Sequence, residues 1–145
     1  MSELILKVKR LYIDSPDLKI PELGNVGYDI VAHSITDRTE QYIEYDSGLA
    51  FEPPEGYHLE VLPRSSISNY SLVLCNSIGL IDSNYRNSVR LRFKILQALN
   101  PVKMYEIGDK IGQLVIRKTE KLPIEYVEQL SETNRNLGGF GSTGK

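Results

Sequence analysis

Hydrophobic and polar side chains alternate along most of this chain, most clearly between Ser88 and Ile95. In that segment every second residue is large and apolar, while Arg90, Arg92 and Lys94 occupy the positions between them. A period of two sends one set of side chains into a core and the other into solvent. The segment is therefore predicted to be a half-buried strand with its basic residues on a solvated face.

Eight further segments show the same pattern less clearly, and together they predict about nine short strands with almost no helix. They are residues 4–13, 28–32, 41–46, 57–62, 71–75, 102–107, 113–118 and 125–130. Turn-forming residues separate them, as at 53–56 and 107–109. The expected exception is one helical turn at 66–70, with Ser65 or Ser66 as its N-cap. This spacing predicts an all-β sandwich or barrel rather than alternating βαβ units.

The composition changes near residue 131. From there to residue 145 the chain has four glycines and only two bulky apolar side chains, Leu137 and Phe140, so it cannot bury itself. We therefore expect a single β-barrel domain over residues 1–131 and a flexible glycine-rich tail over residues 132–145 that orders on a ligand.

Composition and charge exclude several classes of protein. Apolar residues make up 41% and charged residues 25% of the chain, with no apolar run that predicts a membrane span or a secretory signal. The formal charge of -2 has no basic block, so we expect no binding to long nucleic acid. The lone Cys75 cannot form an internal disulfide and is expected to be a buried packing group. We expect a cytoplasmic protein, or one in the host cytoplasm or nucleus if its source is viral.

Two short segments carry candidate chemistry. In 79–86, Asp82 follows two large aliphatic residues, so it either opens an Asx turn or, as a carboxylate at the mouth of the core, activates a water. In 63–66, Arg64 and two serines follow a predicted strand. They form either a strand end with a helix cap or a phosphate-binding group.

The tail matches two nucleotide-binding patterns that we do not expect to be functional. Residues 139–145 fit G-x-x-x-x-G-K, and residues 139–144 fit G-x-G-x-x-G. Both patterns require a helix after the glycines, whereas this sequence ends at Lys145. Phosphate contact by backbone N–H groups of the tail is still expected.

Five segments, taken in order, resemble the five motifs of the trimeric, all-β dUTP diphosphatases (dUTPases). They are Val26–Ile30, Pro63–Ile67, Gly79–Arg86, Gly108–Leu114 and Arg135–Gly144, the last ending in GGFGSTG. The resemblance extends from about Val26 to the end of the sequence, and five ordered motifs are more specific than any one of them. It implies a jelly-roll-like β-barrel (a dUTPase-like β-clip) with a flexible C-terminal arm, and a homotrimer with active sites between subunits.

The activity implied by this resemblance is hydrolysis of dUTP to dUMP and pyrophosphate, with Mg²⁺, by attack of water on the α-phosphorus. Such an activity limits uracil incorporation into DNA and supplies dUMP for dTMP synthesis. Asp82 matches the catalytic carboxylate, Tyr85 the aromatic ring beside the deoxyribose, and Asn76 the asparagine of the uracil-binding hairpin. Asp29 matches an acid that either supports Mg²⁺ through water or orders the neighbouring arginine network. The other substrate-binding positions that the resemblance implies are Arg64, Ser65, Ser66, Leu80, Ile81, Gln113, Arg135, Phe140, Gly141, Ser142 and Thr143.

Two departures from the family pattern leave alternatives open. Ser66 and Asn87 stand where the family usually has glycine, and Arg-Ser-Ser at 64–66 also resembles the related dCTP deaminases. Those enzymes need a glutamate about ten residues beyond the position of Asp82, where this chain has Arg92, so deamination lacks its acid. A catalytically idle nucleotide-sensing protein of the same fold is the other alternative, although Asp82 and the tail are intact.

Overall fold

The computed structural model describes residues 3–141, whose regular structure is ten strands and one 3-10 helix. The strands are β1 Lys7–Arg10, β2 Tyr28–Val31, β3 Ser34–Arg38, β4 Tyr42–Asp46, β5 Leu49–Glu52, β6 Tyr57–Leu62, β7 Leu72–Leu74, β8 Gly79–Ile81, β9 Arg90–Ile95 and β10 Lys110–Lys118, and the 3-10 helix is Ser65–Asn69. This confirms the predicted all-β class. Within residues 3–141, no helix is long and apolar enough to cross a membrane.

The strands form two four-stranded sheets and one two-stranded sheet, and every pairing is antiparallel. One large sheet has the order β2-β10-β6-β8, the other has the order β3-β4-β9-β7, and β1 pairs with β5. The chain crosses from one large sheet to the other between β7 and β8, in the segment 75–78. That crossover contains Asn76, and β8 leads directly to Asp82.

One core joins the two large sheets. Leu59 and Leu114 from the first sheet and Ile43 and Phe93 from the second belong to the same cluster of buried side chains. The Tyr45 hydroxyl donates a 2.6 Å hydrogen bond to the carbonyl of Tyr105, which satisfies the one polar atom of a fully buried ring. Burial raises the pKa of Tyr45 to about 12.

The alternation at 88–95 predicted β9 well, since Leu91 and Phe93 are buried while Arg90, Arg92 and Lys94 are exposed. Two predicted strands are absent from the described residues, at 102–107 and 125–130. The first contributes Tyr105 to the core without joining a sheet, and the second is exposed and has no strand beside it. The pattern missed β3, β5 and β8. In β5 the residues at 49–51 are all buried, so there is no alternation to detect.

Two local predictions were wrong. Arg64, with extended backbone dihedrals, is the N-cap of the 3-10 helix and makes no side-chain capping bond, so neither Ser65 nor Ser66 is the cap. Cys75 is exposed rather than buried, because it lies just past the end of β7 in the crossover, where strand alternation no longer applies.

Candidate functional site

A cavity of roughly 200 Å³ opens beside β8, and we call it the β8 cavity. Its walls combine apolar residues of both sheets with a few polar groups: Val61, Leu74, Asn76, Gly79, Leu80, Ile81, Asp82, Tyr85, Val89, Arg90 and Leu91. Cavities that enclose a whole drug-sized ligand measure roughly 300–1,000 Å³. The β8 cavity is therefore too small to enclose a whole ligand of that size and suits one part of it.

The sequence brings these residues together through the crossover and β8. A Cβ on Gly79 would lie 3.3 Å from Nδ2 of Asn76, so the asparagine side chain packs directly on the start of β8. Leu80, 72% exposed, stands at the mouth of the cavity, whereas Ile81 packs partly against the core. Five of the predicted residues thus share one cavity: Asn76, Leu80, Ile81, Asp82 and Tyr85.

A tight turn after β8 presents Asp82. The N–H of Tyr85 donates to the backbone carbonyl of Asp82 at 3.0 Å, and Arg86 Nη1 donates to the carbonyl of Ser83 at 2.7 Å. The turn closes through the main chain, so the Asx turn does not form. Among residues 3–141 no hydrogen bond or ion pair engages the Asp82 carboxylate, which is exposed. This carboxylate is available to a water or a ligand.

Tyr85 is held by hydrogen bonds at its backbone and at its hydroxyl. Its backbone N–H is fixed at Asp82, and its hydroxyl donates a 2.8 Å hydrogen bond to the carbonyl of Ser88. The neighbouring Asn87 accepts the Ser88 N–H at 2.7 Å through Oδ1, so the asparagine in place of the usual glycine helps to fix this segment. Tyr85 is 42% exposed, and its ring therefore offers a fixed surface at the cavity.

A second group of site residues, which we call the Arg64 cluster, comprises Asp29, Arg64, Ser66, Lys110 and Gln113. Asp29 Oδ1 lies 3.1 Å from Arg64 Nε, and Asp29 Oδ2 lies 3.0 Å from Lys110 Nζ. Arg64 Nη1 also donates to the Ser66 hydroxyl at 3.3 Å, so the serine in place of the family's glycine orients the guanidinium. Ser65 is exposed beside them at the start of the 3-10 helix.

Asp29 is occupied by these two cations. Each of its two carboxylate oxygens forms one ion pair. Of the two roles expected for Asp29, this arrangement agrees better with ordering an arginine than with supporting Mg²⁺. Lys110 was not singled out from the sequence as a site residue. Its place in the motif-like segment 108–114, directly before the buried Ile111, is the signal that could have identified it.

The Arg64 cluster and Asp82 lie near opposite ends of strand β6 in one chain. Leu59 pairs with Ile81 in the β6–β8 register, which places Asp82 beside His58 near the start of β6, and both residues line one surface depression. Arg64 follows the end of β6 at Leu62. From His58 to Arg64 the extended chain makes six steps between neighbouring residues, which span about 20 Å. Within one chain, most of the length of β6 therefore separates Asp82 from Arg64.

The tail residues form a third group. Residues 121–137 are exposed along their whole length, and Arg135 donates to the carbonyl of Gly139 at 3.2 Å. The Phe140 ring and Gly141 are also exposed. Ser142 and Thr143, predicted to bind the terminal phosphate, lie outside the described residues.

Arg92, which occupies the position of the deaminase glutamate, belongs to a surface charge network. Its guanidinium lies 3.0 Å from Glu44 and 3.5 Å from Asp37, and it stacks over the Tyr42 ring at 4.3 Å. It is thus committed to neighbouring side chains as a cation, and it supplies no acid for the proton transfers of deamination.

Comparisons with known proteins show which family this chain resembles. A family model described as dUTPase matches residues 14–144. The deoxyuridine 5'-triphosphate nucleotidohydrolase of Finegoldia magna is 34% identical over 135 residues, an alignment that covers 90% of this chain and 93% of that protein.

Solved structures share the fold. The dUTPase of Staphylococcus bacteriophage 80alpha with dUPNHPP has a TM-score of 0.80 and 24% identity, with 97% of this chain and 99% of that chain covered. A mutant dUTPase from phage phi11 of S. aureus, whose structure describes coordination of a structural Mg(II) ion, has a TM-score of 0.72 and 21% identity, with 88% and 99% covered. The matching family model and the bacterial relative together show that this chain belongs to the dUTPase family.

Proposed function

We propose that this protein hydrolyses dUTP to dUMP and pyrophosphate in a site assembled from more than one copy of the chain. The observation that carries the proposal is the β8 cavity, which places a carboxylate without a partner in the described chain, an aromatic ring and an asparagine around a space suited to a base and sugar. Membership of the dUTPase family supplies the substrate class.

The chemistry assigned to Asp82 is general-base catalysis. Its carboxylate orients a water and accepts a proton from it as the water oxygen forms a bond to the α-phosphorus. The bond between the α-phosphorus and the bridging oxygen to the β-phosphate breaks, and pyrophosphate leaves with that oxygen. The exposure of Asp82 just after the end of β8 supports this role.

Substrate recognition is divided among the three groups of residues. In the β8 cavity, Asn76, Leu80 and Ile81 surround the base, and the Tyr85 ring packs against the deoxyribose and leaves no room for a 2′-hydroxyl. The Arg64 cluster, through Arg64, Ser65, Ser66 and Gln113, binds phosphates. The tail contributes Arg135, Phe140, Gly141, Ser142 and Thr143, with Phe140 over the uracil ring and the others near the terminal phosphate.

Separation of Asp82 from the Arg64 cluster supports a homotrimer with sites between subunits. A triphosphate extends away from its base, so the phosphate-binding cations must come from a neighbouring chain if Arg64 lies about 20 Å from Asp82 within one chain. The exposed segment 121–137 supports the same assembly, because its residues Leu122, Ile124 and Tyr126 are each more than four-fifths exposed. Such side chains gain most by packing on another subunit.

Mg²⁺ fits this site as an ion that arrives with the nucleotide. Within residues 3–141 no three His, Cys, Asp or Glu side chains gather into a metal-binding group, and both oxygens of Asp29 already face cations. Mg²⁺ is commonly held by substrate phosphates with few protein ligands, here with Asp29 as a water-mediated contact at most. When bound, the ion would neutralise phosphate charge and polarise the phosphoryl oxygens.

Pyrophosphate release from dUTP, dCTP, dTTP and UTP, measured with and without Mg²⁺, tests the activity. We expect Mg²⁺-stimulated turnover of dUTP and little of the other three. Ammonia release from dCTP would indicate a deaminase instead, and binding of dUTP without any turnover would indicate an idle sensor.

Co-expression of two inactive variants tests the composite site. Asp82→Asn and Arg64→Ala chains should each lack activity, whereas a mixed trimer contains sites that combine an intact Asp82 with an intact Arg64 from a neighbour. Random assortment should restore roughly a quarter of the wild-type activity. If both residues acted within one chain, the mixture would stay inactive.

A further inference from the structure

Asp46 is a buried carboxylate that the reaction described above does not use. It lies at the end of β4 and is 1% exposed. Its Oδ1 accepts a 2.7 Å hydrogen bond from the N–H of Gly48 and a second hydrogen bond from the hydroxyl of Ser88, and Oδ2 lies 3.6 Å from Arg90 Nε. A buried carboxylate is costly unless such partners satisfy it, so its presence calls for a physical reason.

Ser88 connects this carboxylate to the β8 cavity. It is 2% exposed, its hydroxyl donates to Asp46, and its carbonyl accepts the hydroxyl of Tyr85 at 2.8 Å. Next to it, Val89 exchanges backbone hydrogen bonds with the turn after β4: its N–H donates to Leu49 and its carbonyl accepts from Ser47. Asp46, Ser88 and Tyr85 thus form a continuous chain of hydrogen bonds from the interior to the cavity wall.

We propose that Asp46 and Ser88 are positioning residues that set the place of the Tyr85 ring and thereby the discrimination between deoxyribose and ribose. This inference rests on the proposed function, in which Tyr85 excludes the 2′-hydroxyl. Steric exclusion of one oxygen depends on ring placement to within a fraction of an ångström. The backbone bond of Tyr85 to Asp82 fixes only the Cα end of the residue, so the bond to Ser88 is what fixes the outer end of the ring.

Ser88→Ala tests this directly, because it removes the bond to Asp46 and leaves the Ser88 carbonyl in place. The measurement is the ratio of kcat/KM for dUTP to kcat/KM for UTP, from pyrophosphate release. Without the hydrogen bond between Ser88 and Asp46, the Tyr85 ring is less firmly positioned, and this ratio should fall roughly five- to tenfold. An unchanged ratio in folded Ser88→Ala overturns the proposal.

Ser71→Ala is the matched control. Ser71 is also 2% exposed, and its hydroxyl accepts the N–H of Lys103 at 2.8 Å, outside the residues of the β8 cavity. Both variants lose a buried hydrogen bond and should show a lower melting temperature. Only Ser88→Ala should change the sugar preference, and an equal change in both variants would mean a general loss of packing and would overturn the proposal.

Two further variants keep the test decisive. Tyr85→Phe removes the hydrogen bond from the Tyr85 hydroxyl to the Ser88 carbonyl. If Ser88→Ala does not fold, a lowered dUTP-to-UTP ratio in Tyr85→Phe supports the proposal, and an unchanged ratio overturns it. Tyr85→Ala tests the sugar gate itself. If only Tyr85→Ala lowers the ratio, Tyr85 excludes the 2′-hydroxyl but Asp46 and Ser88 do not position it, and the inference is overturned. If Tyr85→Ala leaves the ratio unchanged, both the exclusion by Tyr85 and this inference are refuted.

Discussion

The side chain of Gln113 occupies the space directly over the Cα of Gly27. A Cβ built on Gly27 would stand 2.3 Å from Oε1 and 2.9 Å from Cβ of Gln113, closer than atoms can approach. Gln113 in turn donates through Nε2 to the carbonyl of Pro63 at 3.1 Å, next to Arg64. The missing side chain at residue 27 therefore lets β10 place a polar group beside Arg64.

Gly27→Ala should displace Gln113 and weaken nucleotide binding. Because the clash involves Cβ of Gln113 as well as the flexible amide, rotation of the side chain cannot relieve it fully. We expect KM for dUTP to rise roughly tenfold, the equivalent of about 1.4 kcal/mol. In a Gln113→Ala background the same substitution should have a smaller effect, and full additivity in this double-mutant cycle would contradict the proposed contact.

Asp82→Asn should abolish turnover and leave nucleotide binding measurable. The amide keeps the size of the side chain but cannot accept a proton from water, and loss of a general base costs roughly 10²–10⁴-fold in rate. Single-turnover rates and calorimetric binding of a non-hydrolysable dUTP analogue separate the two properties. Unchanged turnover would remove Asp82 from the mechanism.

Deletion of residues 135–145 should lower the rate severely without unfolding the barrel. The deleted segment includes Arg135 and Phe140, and Phe140 is fully exposed in this structure. Without these residues the tail cannot close over the bound substrate, whereas the packing of the core should be unaffected. Melting temperature and kcat/KM, measured on the same preparation, check this, and a large drop in melting temperature would indicate a structural tail instead.

Alkaline pH should destabilise the fold through Tyr45. Burial raises the pKa of Tyr45 from its ordinary value of 10.0 to about 12. Below pH 10 the phenol is neutral in both states, so its contribution to stability is fully present. Between about pH 10 and 12 the unfolded chain releases the proton and the folded chain does not, so the free energy of unfolding falls as pH rises, by on the order of 2 kcal/mol.

Urea unfolding at pH 8 and pH 11 measures this effect. Tyr45→Phe should be less stable at pH 8, because it loses the 2.6 Å bond to the Tyr105 carbonyl, yet it should lose less stability between the two pH values. Tyr126→Phe, at a ring that is 95% exposed, is the control and should retain the wild-type pH dependence. Identical pH dependence in all three proteins would contradict the role of Tyr45. Burial also raises the pKa of Tyr105, which should account for part of the remaining slope.

The sequence predicted elements best where strand alternation was complete. The pattern around Leu91 and Phe93 identified β9, whereas β5, buried on successive residues, lacked the alternation on which the prediction depends. The predicted strand at 125–130 failed for the opposite reason, since an alternating segment forms a strand only where another strand pairs with it.

The family resemblance predicted Asp82, Asn76 and Tyr85 as site residues, and in the structure all three line the β8 cavity. They lie within ten residues of one another, so local chain geometry keeps them close together. Asp46 and Ser88 could not be found in this way. They are 42 residues apart, and neither belongs to a nucleotide-binding pattern until the strand pairing brings them into contact.

The sequence by itself determined the all-β class, the family and the residue types that a nucleotide requires, because alternation and motif order are properties of the chain alone. The tertiary structure decided which of those residues share a site. Strand register places Asp82 near one end of β6 and Arg64 at the other, joins Asp29 to Lys110, and buries Asp46 against Ser88. These relationships depend on contacts between distant segments, and the pairing of strands in space sets such contacts.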